Sequence, residues 1–278
     1  RIVVQNGEAR DKMERGWGWI TKPAHQIFHD LHRNTTKNSR RNIAAHYDLG
    51  NDFFRLFLDE NLMYSSAIFP KVDSSLESAS QHKLDRICQK LELSPEDHVI
   101  EIGTGWGGFA LHAAKHYGCK ITTTTISEEQ YLLAKTRIQN AGLNERIEVK
   151  HTDYRNLKGQ YDKLVSIEMI EAVGHHYYDT YFSKCSALLK SDGLMLLQAI
   201  TIGDWFFDAH KHTVDFIKRY IFPGSCIPSL TAISKSIAKE TDLRIVDLLD
   251  IGPHYARTLR IWRERFFSSI DNVREQGF

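Results

Sequence analysis

Glu101 sits in a short apolar run, Val99-Ile100-Glu101-Ile102, that leads at once into Gly103-Thr104-Gly105-Trp106-Gly107-Gly108. Phe109, Ala110, Ala113 and Ala114 then recur at helical spacing. The order predicted is strand, tight turn, helix. Glycines lack a Cβ, so the backbone of this turn can approach a ligand closely. The helix that follows opens with unpaired N–H groups. A carboxylate at the strand end can accept hydrogen bonds or meet a cation. Together these parts suit a nucleotide-like cofactor at the carboxyl end of a strand. No Gly-Lys-Ser/Thr follows, so this is not a triphosphate loop. On its own, a tight strand–helix turn explains the same residues.

The elements around this turn alternate. Ser74 or Ser75 can cap a helix whose apolar face carries Leu84, Ile87, Cys88 and Leu91. After the turn come a strand at Cys119–Thr125, a helix at Glu128–Ala141 stopped by Gly142, and a strand at Arg146–His151. A loop through Asp153-Tyr154 leads to a strand at Tyr161–Ile167, then Glu168 and Glu171, a helix near Tyr177–Leu189 and a strand at Leu194–Ala199. Strands alternating with helices predict an α/β fold with a mainly parallel sheet covered on both faces. Thr201–Gly224 breaks the rhythm with Trp205, Phe206, Phe207, Phe216, Ile217, Tyr220, Ile221 and Phe222, interleaved with Lys211, Lys218 and Arg219. It reads as an aromatic, basic insertion over the site, or as ordinary core. A helix at Ser229–Glu240, a strand at Arg244–Leu249 and a last amphipathic helix with Leu259, Trp262 and Phe266 on one face complete the chain.

The chain has 278 residues, 42% of them apolar, which allows one domain with appendages and a substantial core. A net charge of +1 gives no general attraction to nucleic acid. Cys88, Cys119, Cys185 and Cys226 are widely spread with no Cys-x-x-Cys pair, so reduced thiols are expected rather than a disulfide framework or zinc site. His175-His176 and the pair His210 and His212 lack metal-binding spacing, and no metal site is expected. No uncharged apolar run nears the ~20 residues needed to cross a bilayer. The opening residues suggest a short helix at Pro23–Arg33 and a basic linker, Arg33 to Arg41. Such a linker is a solvated connection or a contact for anionic headgroups, worth ~1 kcal/mol per basic residue.

Several further motifs accompany the glycine turn. They are His46-Tyr47-Asp48 with Gly50-Asn51-Asp52-Phe53-Phe54, Tyr64-Ser65-Ser66-Ala67, and Thr125-Ile126-Ser127-Glu128-Glu129-Gln130. Tyr220-Ile221-Phe222-Pro223-Gly224 and Pro253-His254-Tyr255-Ala256 follow. In this order they resemble the cyclopropane-fatty-acid synthases and mycolic acid cyclopropane synthases, a family of S-adenosylmethionine (SAM) methyltransferases. The resemblance runs from about Arg40 to Phe278. It implies a Rossmann-like SAM-methyltransferase fold with a mostly parallel seven-stranded sheet, helices on both faces and an aromatic lid. Residues 1–40 would be an N-terminal helical and basic segment, and 41–278 the methyltransferase domain with a lipid-facing insertion at about 201–228. The family continues beyond Phe278, so the usual C-terminal end is expected to be missing.

The resemblance also assigns roles. Tyr64, Ser65, Glu101, Gly103 and Gly105 would surround the methionine part of SAM. Thr125, Ile126 and Gln130 would lie near ribose and adenine, with Asp153 and Tyr154 closing the adenine pocket. No acid stands between Thr122 and Ser127 for the ribose hydroxyls, as a generic dinucleotide site would require. The implied reaction adds the sulfonium methyl to a fatty-acyl double bond, which needs alignment more than a base. The resulting carbocation would be stabilised by aromatic faces and a carboxylate, here Glu171. In the family a bound bicarbonate then takes the proton. Glu171, Tyr255 and Ile167 match its binding positions, but Ser66 replaces a cysteine and Gln198 a histidine. Gln198 cannot carry positive charge, and Glu168 adds negative charge one helical turn from Glu171. Both departures count against bicarbonate and against ring closure.

The implied function is methyl or methylene transfer to an unsaturated phospholipid acyl chain, giving a cyclopropane or a methyl branch, with S-adenosylhomocysteine (SAH) as by-product. Partners would be acyl chains at a membrane surface, not nucleic acid, and a homodimer is left open. Localisation would be cytoplasmic and peripheral to the membrane. Two other readings compete: a methyltransferase for a small amine or other nucleophile, and a non-catalytic lipid-binding relative.

Overall fold

The computed structural model describes Asn34, Thr35, Asn38, Ser39 and residues 49–278. The expected helix at Pro23–Arg33, His46-Tyr47-Asp48 and most of the basic linker lie outside the described residues. Two linker residues do not behave as solvated: Asn34 and Ser39 are buried. Asn34 Nδ2 donates to the carbonyls of Ala172 at 2.8 Å and Gly224 at 3.0 Å.

Five parallel strands form the sheet: β1 (His98–Ile102), β2 (Lys120–Thr125), β3 (Ile147–His151), β4 (Tyr161–Ile167) and β5 (Leu189–Gln198). Their spatial order is β3-β2-β1-β4-β5. The chain therefore builds outward from β1 in one direction and then returns to its other side at β4. That reversal leaves a crevice beyond the carboxyl ends of β1 and β4, where ligands bind in open α/β sheets.

The helices are α1 (Asn51–Arg55), α2 (Leu76–Lys90), α3 (Gly108–Tyr117), α4 (Glu128–Asn140), α5 (Tyr178–Leu188), α6 (Asp204–Lys211), α7 (Leu230–Glu240), α8 (Gly252–Ser268) and α9 (Ile270–Glu275). Ser75, Ser127 and Ser229 cap α2, α4 and α7 by accepting from the backbone N–H three residues on. Side chains of β1 alternate between two cores. Val99 packs with Leu84, Ile87 and Cys88 of α2, with Leu91 just past its end, and with Phe109 of α3. Ile100 and Ile102 pack on the other face with Tyr181, Phe182 and Cys185 of α5 and Ile233 of α7. The sheet is thus buried on both faces, as its apolar strands require. A third core joins α1 to the last long helix through Phe54, Phe57, Trp106 and Trp262.

β2 is almost wholly buried although it reads Lys-Ile-Thr-Thr-Thr-Thr. Its hydroxyls are satisfied in place. Thr123 donates to Glu101 Oε2 at 2.6 Å, Thr124 to the Thr152 carbonyl at 2.6 Å and Thr125 to Gln130 Oε1 at 2.9 Å. Burial without these partners would carry a desolvation cost. All four cysteines are buried, free thiols.

The expectations for the sheet and for the buried face of α8 differ from the structure. The described residues form five strands rather than seven, and Arg244–Leu249 is irregular. Its apolar residues favour a strand, but a strand needs a hydrogen-bonded neighbour. No described segment pairs with it, and Val246 is 84% exposed. On α8 the buried face runs through Thr258 and Trp262, while Leu259 faces outward. The segment 201–228 contains α6 and a π-type turn at Ile217–Ile221, and Trp205, Phe216, Ile217 and Tyr220 are exposed rather than core. Lys218 is buried there, donating to the carbonyls of His210 and Thr213. No helix among the described residues is long and apolar enough to cross a membrane.

Candidate functional site

Glu101 enters the site from β1 and is buried, with Thr123 of the neighbouring strand holding Oε2. Burial pushes its carboxyl up to about 8, against the lowering effect of Thr123 and Lys83. The turn beyond it doubles back: the N–H groups of Gly103 and Thr104 both donate to the Thr124 carbonyl. Gly103 has φ +103°, and a Cβ there would come within 3.2 Å of Met169. Gly108 is tighter still. A Cβ would meet Met63 Sδ at 2.4 Å and the Asn61 carbonyl at 2.9 Å. The loop before α2 therefore lies directly against the start of α3. Gly105, at φ +52°, has open space where a Cβ would point.

That loop carries Tyr64, Ser65 and Ser66. Tyr64 packs between Phe54 and Trp262, each with ring centroids 5.4 Å away. Ser65 Oγ accepts from Lys83 Nζ at 2.7 Å. The loop is also pinned from α8: the Ala67 N–H donates to Thr258 Oγ1 at 3.1 Å, and the Phe69 N–H to His254 Nδ1 at 3.2 Å. This brings Tyr255, between those two residues on α8, to the same end of the sheet.

Across the crevice, Ile167 ends β4 and pairs in register with Gln198 at the end of β5. Glu168 follows in the left-handed region, at φ +47°. Its N–H donates to the Gln198 carbonyl at 2.7 Å. Its Oε1 accepts from the Ser66 N–H and from Gln198 Nε2, both at 2.8 Å. Glu171 Oε1 accepts from the Ile200 N–H, whereas its buried Oε2 has no partner among the described residues. Burial first, and the charge of Glu168 second, push Glu171 up to about 8. Burial raises Tyr255 far above its ordinary value, with both glutamates and Tyr64 adding to the shift. Ser66, Glu171, Gln198 and Tyr255 thus meet electrostatically or by hydrogen bond around Glu168, and Ile167 precedes it at the end of β4.

At the far end, Thr125 and Gln130 bond each other, and the Thr125 hydroxyl also accepts from the Ser127 N–H. Ile126 is partly buried at the same turn. Asp153 is clamped by Arg155, whose Nε and Nη2 reach its two oxygens at 2.9 and 2.7 Å. Burial raises the Asp153 carboxyl, but the Arg155 bonds outweigh it and hold the group below its ordinary value. Tyr154 packs edge-on against Tyr181 at 5.6 Å. The sequence-nominated residues therefore lie at the carboxyl ends of the strands, on loops docked to them, or in the first turns of α4 (Gln130) and α8 (Tyr255).

Lys83 was not nominated. Its side chain is fully buried under the loop, and burial lowers its ammonium to about 8 despite the opposing pull of Glu168, Asp59 and Glu101. A sequence signal existed: Lys83 occupies the inner face of α2, seven residues after Leu76 and four before Ile87.

A parallel sheet with an acid-ended β1, a glycine turn under the crevice and hydrogen-bonding groups after β2 defines an α/β protein that binds a nucleoside-type cofactor. Residues 34–277 match the mycolic acid cyclopropane synthetase family, and the chain belongs to that family. It is 40% identical to the tuberculostearic acid methyltransferase UfaA1 of Mycobacterium tuberculosis, over all of this chain and 66% of that protein. It is 42% identical to the cyclopropane-fatty-acyl-phospholipid synthase of Escherichia coli K12, over 82% of this chain and 57% of that one. The chain thus spans less than two thirds of the length of these curated relatives. Among solved structures it is similar to mycolic acid cyclopropane synthase CmaA1 in complex with SAH and CTAB. There the identity is 30%, the TM-score 0.79, and 85% of this chain and 86% of that one are covered.

Proposed function

We propose that this chain binds SAM over the Gly103–Gly108 turn and transfers its methyl carbon to the double bond of an unsaturated phospholipid acyl chain. The observation that carries the reading is the placement of the buried Glu101 and its glycine turn beside the group formed by Glu168, Glu171, Gln198 and Tyr255. Glu101, Gly103, Gly105, Tyr64 and Ser65 would hold the methionine part, and the crowded start of α3 suits close approach of a ligand to backbone. Thr125, Ile126 and Gln130 would hold the ribose and adenine, with Asp153 and Tyr154 beside them. When bound, SAM supplies an electrophilic methyl carbon. The similar CmaA1 structure, which contains SAH, supports that assignment.

Glu171 would stabilise positive charge on the acyl chain with the oxygen lone pairs of its carboxyl group, whose Oε2 has no partner among the described residues. Tyr255 would add its ring face to the same task. The relatives' names include both a cyclopropane synthase and a tuberculostearic acid methyltransferase, so a ring and a methyl or methylene branch both remain products of this reading. Bicarbonate does not fit. The Ser66 N–H and Gln198 Nε2 already bond Glu168, and two carboxyl groups oppose an added anion. The segment 201–228 would act as the aromatic lid and meet the membrane surface peripherally. Trp205, Phe216 and Tyr220 are the side chains available for that contact, with Arg219 beside Tyr220.

The test is transfer of labelled methyl from SAM by the full-length protein, offered vesicles of unsaturated phospholipid alongside small amines. Label in the acyl chains supports the reading. Label in the amines alone replaces it with an aqueous methyltransferase. Vesicle binding without transfer of label leaves a lipid-binding relative.

A further inference from the structure

The two donors that the sequence resemblance associates with an external anion are occupied by a side chain of the protein itself. Glu168 Oε1 takes the Ser66 N–H and Gln198 Nε2, both at 2.8 Å. Gln198 Nε2 also reaches the Ser66 carbonyl, at 3.2 Å, so β5 and the 64–67 loop are joined around this carboxylate. The Ser66 hydroxyl turns away and donates to the Ala67 carbonyl. Glu168 reaches this place from a backbone conformation that favours glycine, φ +47°. A non-glycine residue held there is worth interrogating for function.

We propose that Glu168 is the built-in proton acceptor of this site, standing where an external anion would otherwise bind. This rests on the alkene-methylation reading above. The neighbours divide the two carboxyl groups by charge. Glu168 has an amide N–H, a side-chain amide and the Lys83 ammonium facing it, all of which favour its anion. Glu171 has one backbone donor and the Glu168 charge against it. Burial opposes ionisation of both and outweighs these partners, so each carboxyl lies above its ordinary value, but only Glu168 has charge-stabilising donors on several sides. The other titratable groups facing this pair are Tyr255, near both, and Tyr178, near Glu171, with Asp59 and Glu101 arranged around Lys83. Glu168 is therefore the stronger candidate for the charged base, and Glu171 for the proton-bearing partner.

The step balances without a co-reactant. The alkene π pair forms the new bond to the methyl carbon as the carbon–sulfur bond breaks, and that bond's pair stays on sulfur. The neighbouring acyl carbon is left electron-deficient. Glu168 takes a proton from an adjacent C–H, whose electron pair closes a ring or forms a new double bond. The proton then leaves from Glu168 to solvent. A saturated methyl branch would need a hydride donor in addition, and that step is outside the proposal.

The experiment compares wild type, Glu168→Gln and Glu168→Gly, in carbonate-free buffer and with added bicarbonate. Methyl transfer, SAH affinity and calorimetric bicarbonate binding are read for each. Glycine suits the backbone at 168 and opens the space the carboxylate fills. The expected wild type transfers methyl equally with and without bicarbonate and does not bind it. Glu168→Gln should lose roughly 100-fold or more in turnover. Its SAH affinity should stay within about threefold of wild type, because Glu168 is not assigned to the cofactor. Glu168→Gly should bind bicarbonate and recover turnover when it is added. A wild type that needs bicarbonate, or a Glu168→Gln protein of undiminished turnover, overturns the proposal. If Glu168→Gln does not fold, the wild-type carbonate dependence and the glycine variant decide the question. A wild type that transfers no methyl to lipid defeats the parent reading instead, and bicarbonate bound by that wild type would still overturn this one.

Discussion

Lys83 Nζ donates to Ser65 Oγ at 2.7 Å, tying the inner face of α2 to the loop that crosses the mouth of the site. The lysine is fully buried and is the cation opposite Glu168, Asp59 and Glu101. Removing one member of a buried charged set leaves the others uncompensated, at a cost of about 3–5 kcal/mol. Lys83→Met should therefore melt well below wild type. Arginine should not restore it, because its larger planar head does not fit a space shaped for an ammonium. Thermal denaturation checks both, and a methionine variant as stable as wild type would mean that the surrounding carboxyl groups are neutral.

Glu101→Gln keeps the shape of the side chain and removes its ability to ionise. The Thr123 hydroxyl can still donate to the amide oxygen, so the fold should survive. A hydrogen bond to a charged group is worth about 1.5–3 kcal/mol, or roughly 10- to 150-fold in affinity. Titration with SAH should show a loss in that range with little change in melting temperature.

Glu171 gives a pH signature. Its carboxyl rises from 4.5 to about 8, through burial first and the Glu168 charge second. The folded protein then keeps a proton that the unfolded chain releases between those values. This contribution to stability is full below the unfolded value and is lost as pH rises through about 8. The melting-temperature advantage of Glu171→Gln over wild type should grow across that window and level off above it. Parallel profiles would show that Glu171 titrates normally.

Gly108→Ala tests the packing of the glycine turn. The new methyl would lie 2.4 Å from Met63 Sδ and 2.9 Å from the Asn61 carbonyl. The methionine can move but the backbone oxygen cannot easily do so. Overpacking of this kind costs about 1–3 kcal/mol. Both melting temperature and SAH affinity should fall, since the same shift displaces the turn. The equivalent change at Gly142, where nothing lies within 4 Å, should leave SAH affinity unchanged.

The glycine turn, the alternation of strands and helices and the capping serines were legible because each is a local pattern. The chemistry of the crevice was less so. Glu171 stood out as the carboxylate near the reacting centre, whereas Glu168 looked like an obstacle to an anion. Its φ of +47° and its two donors, which no local pattern reveals, are what the proposal for Glu168 rests on. The place of Lys83 on the inner face of α2 was legible, but its partners Ser65, Glu168 and Glu101 come from other elements and were not. The threonines of β2 read as polar, yet they are buried because Glu101, Gln130 and the Thr152 carbonyl await them. Arg244–Leu249 misled in the opposite direction, since strand-forming residues cannot supply a pairing partner.

The proposed reaction passes a methyl carbon from SAM to an acyl double bond. Its most direct measurement uses SAM with a fully deuterated methyl group, the full-length protein and monounsaturated phospholipid, followed by mass spectrometry of the released fatty acids. Acyl groups that have gained one carbon and retain deuterium are expected, with two deuterium atoms where the methyl itself loses the proton. Acyl chains of unchanged mass, in a preparation that binds SAH, would contradict it.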